Sequence, residues 1–190
     1  LAAGLSENKK IKNILEIGTH RGEFTHFLAD IFPHSKITTI ELPDDNPIFL
    51  SSYSRTKGSK LEKQILSRNK LLRSKSNIKF IQKNSINLTF CNEKYDFIWV
   101  DGAHGYPVVS IDIANSIRLI NSGGFIAFDD VRINNVIQES SLYSSNGSWD
   151  TLKEFKNDDL INLTLLNKRT KSPRSHSLIN KYIAVAQLNN

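Results

Sequence analysis

Short apolar runs alternate along this chain with longer segments in which apolar positions recur every three to four residues. The short runs, which predict buried strands, lie at 13–17, 36–42, 78–82, 95–100 and 125–129. The longer segments, which predict helices, lie at 23–32, about 59–74 and 107–120, and a further helix begins at Ser148. Strands that alternate with helices predict a doubly wound, mostly parallel sheet of the α/β class.

The last part of the chain breaks this alternation, because no helix separates the predicted strands at 160–167 and 181–188. Such a pair favours an antiparallel arrangement, so we expect a seven-stranded sheet with an antiparallel last strand.

If strand 160–167 runs parallel to the first five, the basic loop 168–177 lies at their carboxyl edge. There we expect Lys168 and Arg169 to bind an anionic part of a substrate; a solvated loop without a partner is the alternative.

Length and composition limit the domain organisation. The 190 residues, of which 39% are hydrophobic, suffice for one core and predict a single domain over 1–190. A single cysteine excludes an internal disulfide, and no apolar run approaches the roughly 18 residues of a membrane span. These features predict a soluble, cytoplasmic protein.

The net charge of +6 is concentrated in one segment, 55–83, which holds ten Lys or Arg residues and one acid, Glu62. The pattern favours a solvated helix face, because Leu61, Ile65 and Leu72 fall on one apolar stripe. Between Tyr53 and Phe80 no aromatic side chain interleaves the basic residues as a stacking platform would require. A surface for phosphate or nucleic acid is the alternative.

Polar residues follow the first five predicted strands where each strand ends. In chain order they are Glu16, Gly18, Gly22, Glu41, Asn84, Ser85, Asp101, His104, Asp129 and Asp130. Ligands of doubly wound sheets bind at the carboxyl ends of the strands, so these residues form the candidate site.

The turn after the first strand indicates the kind of ligand. Gly18 and Gly22 permit close approach and close packing of the backbone, but His20 stands where a dinucleotide-binding turn has its second glycine. The turn therefore favours a ligand without phosphates. Glu41, at the end of the second strand, can accept hydrogen bonds from both hydroxyls of a ribose.

Five segments, in this order and spacing, resemble the class I S-adenosylmethionine-dependent methyltransferases. They are EIGTHRG (16–22), IELPDD (40–45), KNS (83–85), YDFIWVDGAHGY (95–106) and NSGGFIAFDDV (121–131). The segments around VDGAHGY and FDDV are similar to the small bacterial group that includes sugar and macrolide O-methyltransferases. This resemblance implies a Rossmann-like methyltransferase fold and S-adenosylmethionine as the cofactor.

The resemblance also implies a role for each strand end. The turn with Gly18, Thr19 and Gly22 would approach the amino-acid end of the cofactor, and Glu16 would anchor that region. Glu41 would hold the ribose, and Asp101 would also contact the cofactor. The remaining pair, Asn84 and Ser85, would meet the adenine.

Three carboxylates indicate how a substrate hydroxyl would be activated. Asp101, Asp129 and Asp130 end neighbouring strands and offer the oxygen ligands that Mg²⁺ prefers, as the resemblance to cation-dependent O-methyltransferases also implies. A bound dication would lower the pKa of the hydroxyl, and His104 would accept its proton, so we predict His104 and Asp101 as catalytic residues. In the alternative, Asp101 contacts only the cofactor or the following turn, and Asp129 and Asp130 cap a loop.

Together these features predict metal-assisted O-methylation of a small hydroxylated substrate that carries a sugar or an anionic group. A nucleic-acid methyltransferase that uses segment 55–83 and a nicotinamide-dependent oxidoreductase are the alternatives. The sequence leaves the identity of the substrate and the oligomeric state open.

Overall fold

A seven-stranded sheet forms the centre of the computed structural model, which describes residues 1–7, 11–51, 58–133, 146–168 and 181–189. The strands are β1 (Asn13–Ile17), β2 (Lys36–Glu41), β3 (Ile78–Gln82), β4 (Tyr95–Val100), β5 (Ile120–Arg132), β6 (Ile161–Lys168) and β7 (Lys181–Leu188). They lie in the order β3-β2-β1-β4-β5-β7-β6. β1 to β5 are parallel, and β7 pairs antiparallel with both β5 and β6. The predicted mostly parallel sheet with an antiparallel last strand is confirmed.

Helices connect the strands, as the alternating pattern predicts. The α-helices among the described residues are α1 (Ala2–Ser6), α2 (Glu23–Ile31), α3 (Pro47–Ser51), α4 (Ser59–Arg73), α5 (Val108–Leu119) and α6 (Gly147–Asn157), and a 3-10 helix spans Ser85–Phe90. The four long helices match the predicted ones to within one or two residues at each end. Sequence analysis missed α1, α3 and the 3-10 helix, which are too short to show a helical period.

Both faces of the sheet are buried, because helices cover each of them. Along β4, Phe97 and Trp99 pack in one cluster with α2, whereas Ile98 and Val100 pack in the other with α5 and α6. The last four positions of β4 are thus all apolar and all buried, as is usual in parallel sheets. Trp99, in the middle of this run, is a core residue with an exposed fraction of 7%.

The order of the strands reverses direction between β1 and β4. From β1 the chain builds outward to β2 and β3, and then returns to add β4 and β5 on the other side. The crevice outside the carboxyl ends of two such strands is the position at which doubly wound sheets bind ligands. The fold therefore gathers the polar strand ends at this crevice.

The basic helix α4 has the arrangement that a solvated face requires. Leu61 and Leu72 are buried, whereas Lys60, Lys63 and Lys70 are exposed. Arg55 and Lys57, which belong to the same basic segment, lie outside the described residues.

Arg68 departs from the rest of this helix, because its side chain is only 1% exposed. Its guanidinium donates two hydrogen bonds of 2.9 Å to the carboxylate of Asp44 and lies 4.8 Å from the centre of the Phe80 ring.

The described part of the chain contains no helix long and apolar enough to cross a membrane.

Candidate active site

The turn after β1 passes directly against the end of β4. Gly18 has φ of 102°, and a Cβ atom on it would lie 2.2 Å from the carbonyl oxygen of Asp101. The Gly18 N–H donates to the Ile40 carbonyl at 3.0 Å, and the Asp101 N–H donates to the Ile17 carbonyl at 2.8 Å. Only glycine fits this position, because the backbone of the neighbouring strand occupies the space of a side chain.

The second glycine of the turn serves helix packing. A Cβ atom on Gly22, which has φ of 76°, would lie 2.9 Å from Cδ2 of Leu72 in α4. His20, between the two glycines, also has a positive φ, of 49°. The backbone at His20 thus adopts the left-handed conformation that a glycine adopts easily.

Glu16 supports the turn from below and does not face solvent. Its carboxylate is buried and accepts hydrogen bonds from the hydroxyls of Thr25 and of Thr39, the latter at 2.5 Å. The Thr39 hydroxyl is in turn 2.6 Å from that of Thr19. Burial raises the pKa of Glu16 to about 8, although both threonine hydrogen bonds lower it. Glu16 therefore fixes Thr19 in the turn through Thr39, a residue that sequence analysis missed.

The raised pKa of Glu16 makes the stability of the chain depend on pH. The folded state holds the proton more tightly than the unfolded state, so the contribution of Glu16 is fully present below the unfolded value of 4.5 and is lost as the pH rises through about 8. In this window the wild type should lose up to about 1.4 kcal/mol of unfolding free energy per pH unit relative to Glu16→Gln. Urea denaturation across the window measures the difference.

The matched control for this comparison is Glu23→Gln, on the exposed surface of α2. Parallel curves for the wild type and Glu16→Gln over the whole pH range would contradict the assignment of a buried, protonated Glu16.

Glu41 joins the end of β2 to the glycine turn. One carboxylate oxygen accepts the His20 N–H at 2.8 Å, and the other accepts the Leu42 N–H at 3.0 Å. The side chain is half-buried at the carboxyl end of its strand. Each oxygen keeps a further lone pair that a ribose hydroxyl can use.

Asn84 and Ser85 lie at the start of the 3-10 helix that follows β3. The side-chain oxygen of Asn84 accepts the Ile86 N–H at 3.0 Å and so caps this helix. The Ser85 hydroxyl is close enough to the carboxyl of Asp112, in α5, to lower its pKa, while the stronger effect of burial raises that pKa to about 7.

Asp112 is a buried acid to which sequence analysis assigned no role. Neither of its carboxylate oxygens has a hydrogen-bond partner of good geometry among the described residues. A Cβ atom on Gly102, in the turn after β4, would lie 3.6 Å from one of them. Its position on the buried stripe of α5, beside Val109 and Ile113, is the signal that the sequence offered.

Asp101 and His104 follow β4 at the centre of the edge. His104 Nε2 is 3.6 Å from Asp101 Oδ1, which is too long for a hydrogen bond. Burial raises the pKa of Asp101, and the neighbouring charges of Asp129 and Asp130 add to the effect. Burial also lowers the pKa of His104, which favours a neutral imidazole that can accept a proton.

Asp129 and Asp130, at the end of β5, are bound by Lys181 of the neighbouring strand β7 and by Lys168 of β6, the strand beyond it. Lys168 Nζ is 2.8 and 2.6 Å from the two oxygens of Asp129 and 2.9 Å from Oδ1 of Asp130. Lys181 donates to the other oxygen of Asp130. The Lys168 ammonium is thus paired with two carboxylates, so it is not open to an anionic substrate as the sequence predicted. Arg169, the other residue of that prediction, lies outside the described residues.

The arrangement of these side chains does not fit the predicted Mg²⁺ site at Asp101, Asp129 and Asp130. Every carboxylate oxygen of Asp129 and Asp130 already accepts a hydrogen bond from an ammonium group. Within the described ranges, no group of three or more His, Cys, Asp or Glu side chains is placed to hold a metal ion. The described residues thus do not support metal assistance, which stays a prediction from the sequence.

Comparison with known proteins places the chain in a family. The sequence profile of a family described as methyltransferase domain matches residues 15–131. The phthiotriol/phenolphthiotriol dimycocerosates methyltransferase of Mycobacterium leprae is 25% identical over 108 residues, which are 56% of this chain and 38% of that protein. The chain thus spans well under half the length of this relative.

Two solved structures show the same fold. The N-methyltransferase NodS from Bradyrhizobium japonicum is 18% identical, with a TM-score of 0.67 over 99% of this chain and 91% of that chain. An O-methyltransferase from Bacillus cereus in complex with SAH is 18% identical, with a TM-score of 0.61 over 99% of this chain and 79% of that chain. Because the family profile covers more than half of the sequence, the chain belongs to the methyltransferase-domain family and has the class I fold of S-adenosylmethionine-dependent methyltransferases.

Proposed function

We propose that this chain transfers the methyl group of S-adenosylmethionine to a hydroxyl group of a small molecule. The observation that carries the proposal is the junction of the Gly18 turn with Glu41 on one side and Asp101 on the other, at the point where the strand order reverses. This junction offers a close backbone approach, a carboxylate for a ribose and a polar strand end beside the reacting group.

Each part of the cofactor has a proposed partner. The turn with Gly18, Thr19 and Gly22 receives the amino-acid end, and Glu16 holds the turn in place through its threonine hydrogen bonds. Glu41 accepts the ribose hydroxyls.

The adenine lies at the start of the 3-10 helix. There Asn84 and Ser85 contact it, and the Asn84 oxygen uses the lone pair that the helix cap leaves over.

The chemistry requires little of the protein beyond positioning and one proton transfer. The substrate oxygen attacks the methyl carbon in line with the sulfonium, the bond between carbon and sulfur breaks, and the sulfur keeps the electron pair. His104 accepts the proton of the hydroxyl, because its buried imidazole is neutral and can take a proton. The carboxylate of Asp101, next to it, stabilises the imidazolium that forms.

The nucleic-acid alternative draws less support from the structure than from the charge count. Arg68 of the basic segment is buried against Asp44, and Lys75 is paired with Asp30 at 2.5 Å. Two of the ten positive charges are thus compensated locally and offer less to a phosphate backbone.

Incubation of the chain with S-adenosylmethionine and a panel of small phenols, sugars and hydroxy acids tests the proposal. We expect formation of S-adenosylhomocysteine that depends on one class of hydroxylated compound, and none with RNA or DNA. Turnover with nucleic acid alone would support the rival methyltransferase, and calorimetric binding of NAD without binding of S-adenosylmethionine would support the oxidoreductase.

Glu41→Ala should weaken the binding of S-adenosylmethionine by about 1 to 3 kcal/mol, or roughly 5- to 150-fold in Kd. The variant loses the acceptor for both ribose hydroxyls and the hydrogen bond that holds the His20 N–H. Isothermal titration calorimetry measures the change. Glu93→Ala, which removes an exposed carboxylate at the opposite edge of the sheet, is the control. An unchanged Kd for Glu41→Ala would remove the ribose assignment.

A further inference from the structure

Every carboxylate oxygen of the two aspartates at the end of β5 accepts a hydrogen bond from a lysine at the end of β6 or β7. Lys168 has three N–H donors, and all three reach carboxylate oxygens of Asp129 or Asp130. Lys181 reaches the remaining oxygen of Asp130. We call these four residues the Asp–Lys cluster. Within the cluster, two negative and two positive charges cancel.

The backbone of three neighbouring strands places the cluster. Lys168 and Lys181 are directly opposite each other in the register of β6 and β7. In β5 the register shifts between Phe128 and Val131, and Asp130 has a positive φ of 52°. This irregularity turns two consecutive carboxylates toward the end of β7, where side chains of a regular strand would point to opposite faces.

Without the carboxylates, the lysine pair would destabilise the sheet. Like charges directly opposite each other on an antiparallel pair are destabilising. Here the two ammonium groups share the carboxylate of Asp130, and Asp129, whose side chain is 9% exposed, binds Lys168 through both oxygens. The charges are therefore matched in a region where solvent screens them only weakly.

A divalent cation and the two ammonium groups would compete for the same oxygens. Hard cations bind through carboxylate oxygens, and each such oxygen of Asp129 and Asp130 already accepts an ammonium hydrogen bond. A cation bound beside the lysines would also be repelled by both of them. The total charge that the lysines bring, two positive units, equals that of the ion.

We propose that Lys168 and Lys181 take the place of a divalent cation at the carboxylates of β5, so that the wild-type chain binds no such ion at this site. The positive charge beside Asp101 and His104 is then supplied by ammonium groups of the chain itself. The inference rests on the proposed function in one respect only, namely that the Asp–Lys cluster lies next to the hydroxyl that reacts. Cation binding is measured without a substrate, so a wrong substrate class leaves the test intact.

Titration of Mn²⁺ into the wild type and into Lys168→Met, Lys181→Met and the double variant, followed by electron paramagnetic resonance, tests the proposal. We expect no binding to the wild type at millimolar Mn²⁺. Removal of the lysines frees the carboxylates, so the double variant should bind Mn²⁺ at least about tenfold more tightly. Lys36→Met, which breaks the exposed pair with Glu93, is the matched control and should leave the titration unchanged.

Two results would overturn the proposal. One is micromolar binding of Mn²⁺ to the wild type, together with a rise in its melting temperature on addition of Mg²⁺ and a fall with EDTA. The other is a folded double variant that binds Mn²⁺ no better than the wild type, with folding judged by circular dichroism and by its affinity for S-adenosylmethionine. The wild-type titration decides the question even if the variants do not fold.

Discussion

Gly18→Ala should abolish measurable binding of S-adenosylmethionine and destabilise the fold by more than about 3 kcal/mol, the sum of backbone strain and overpacking. The added methyl group would lie 2.2 Å from the Asp101 carbonyl oxygen, 2.6 Å from its carbon and 2.9 Å from the Gly102 nitrogen. All three are backbone atoms, so no rotation of a side chain relieves the contact. The turn must move away from β4, and the junction that we propose as the cofactor site opens.

Gly123→Ala separates the two causes of this effect. Gly123 has φ of 75°, but a Cβ atom there would meet nothing within 4 Å. This variant therefore carries the strain of a positive φ without the clash, and it should cost only about 1 to 2 kcal/mol. Urea denaturation and calorimetry with S-adenosylmethionine compare the two variants. If Gly18→Ala matches Gly123→Ala in both measurements, close approach to β4 is not what requires glycine at position 18.

Asp44→Ala should lower the unfolding free energy by about 3 kcal/mol, because it removes the anionic partner of a buried guanidinium. The side-chain oxygen of Asn69, which accepts from Arg68 at 3.1 and 3.0 Å, then remains as a neutral acceptor. Arg68 donates two hydrogen bonds of 2.9 Å to this carboxylate, and its side chain is 1% exposed. Denaturant unfolding monitored by circular dichroism measures the loss. Lys36→Met breaks a more exposed ion pair, that with Glu93, and should cost no more than about 1 kcal/mol.

A second substitution at Arg68 shows whether the unpaired charge is the cause. Addition of Arg68→Met to Asp44→Ala removes the buried charge but keeps an apolar side chain against the Phe80 ring. The double variant should be more stable than Asp44→Ala alone. A double variant that is less stable than both single variants would mean that packing of the guanidinium, and not its charge, is what Asp44 supports.

The sequence was sufficient for the sheet and for the set of polar strand ends, because both depend on local patterns. Buried parallel strands are continuous apolar runs, and a run such as 95–100 shows its two ends directly. Because these strands are parallel, their carboxyl ends lie at one edge. The turn after β1 and Glu41 thus meet, through the His20 N–H, at the edge where the sequence predicts both.

The lysines that pair with the acidic strand ends could not be predicted from the sequence, because these contacts depend on the register between strands that are distant in the chain. Lys168 follows Asp129 by 39 residues, and its contact with that residue requires both the insertion of β7 between β5 and β6 and the irregularity at Asp130. No local pattern specifies either feature. The acids were therefore visible as metal ligands, while Lys168, which binds both of them, was assigned to a substrate and Lys181 was given no role.

Arg68 and Asp112 were missed although each stands at a helix position that the apolar pattern predicts to be buried. Arg68 falls on the stripe that includes Leu61 and Leu72, and Asp112 falls between Val109 and Ile113 of α5. A charged residue on an apolar stripe needs a partner or a raised pKa. The apolar stripes therefore mark both residues as exceptions, but they do not identify Asp44 as the partner of Arg68.

The strand order also bears on the sequence of events during synthesis of the chain. β1 to β5 can pair with one another as they emerge, whereas β6, once made, finds its neighbour in the sheet only when β7 has followed it. The edge of β5 that β7 covers stays open until then, and an open edge is a template for pairing with other chains. During the interval between translation of β5 and of β7, this edge is thus exposed to pairing with other chains and to aggregation.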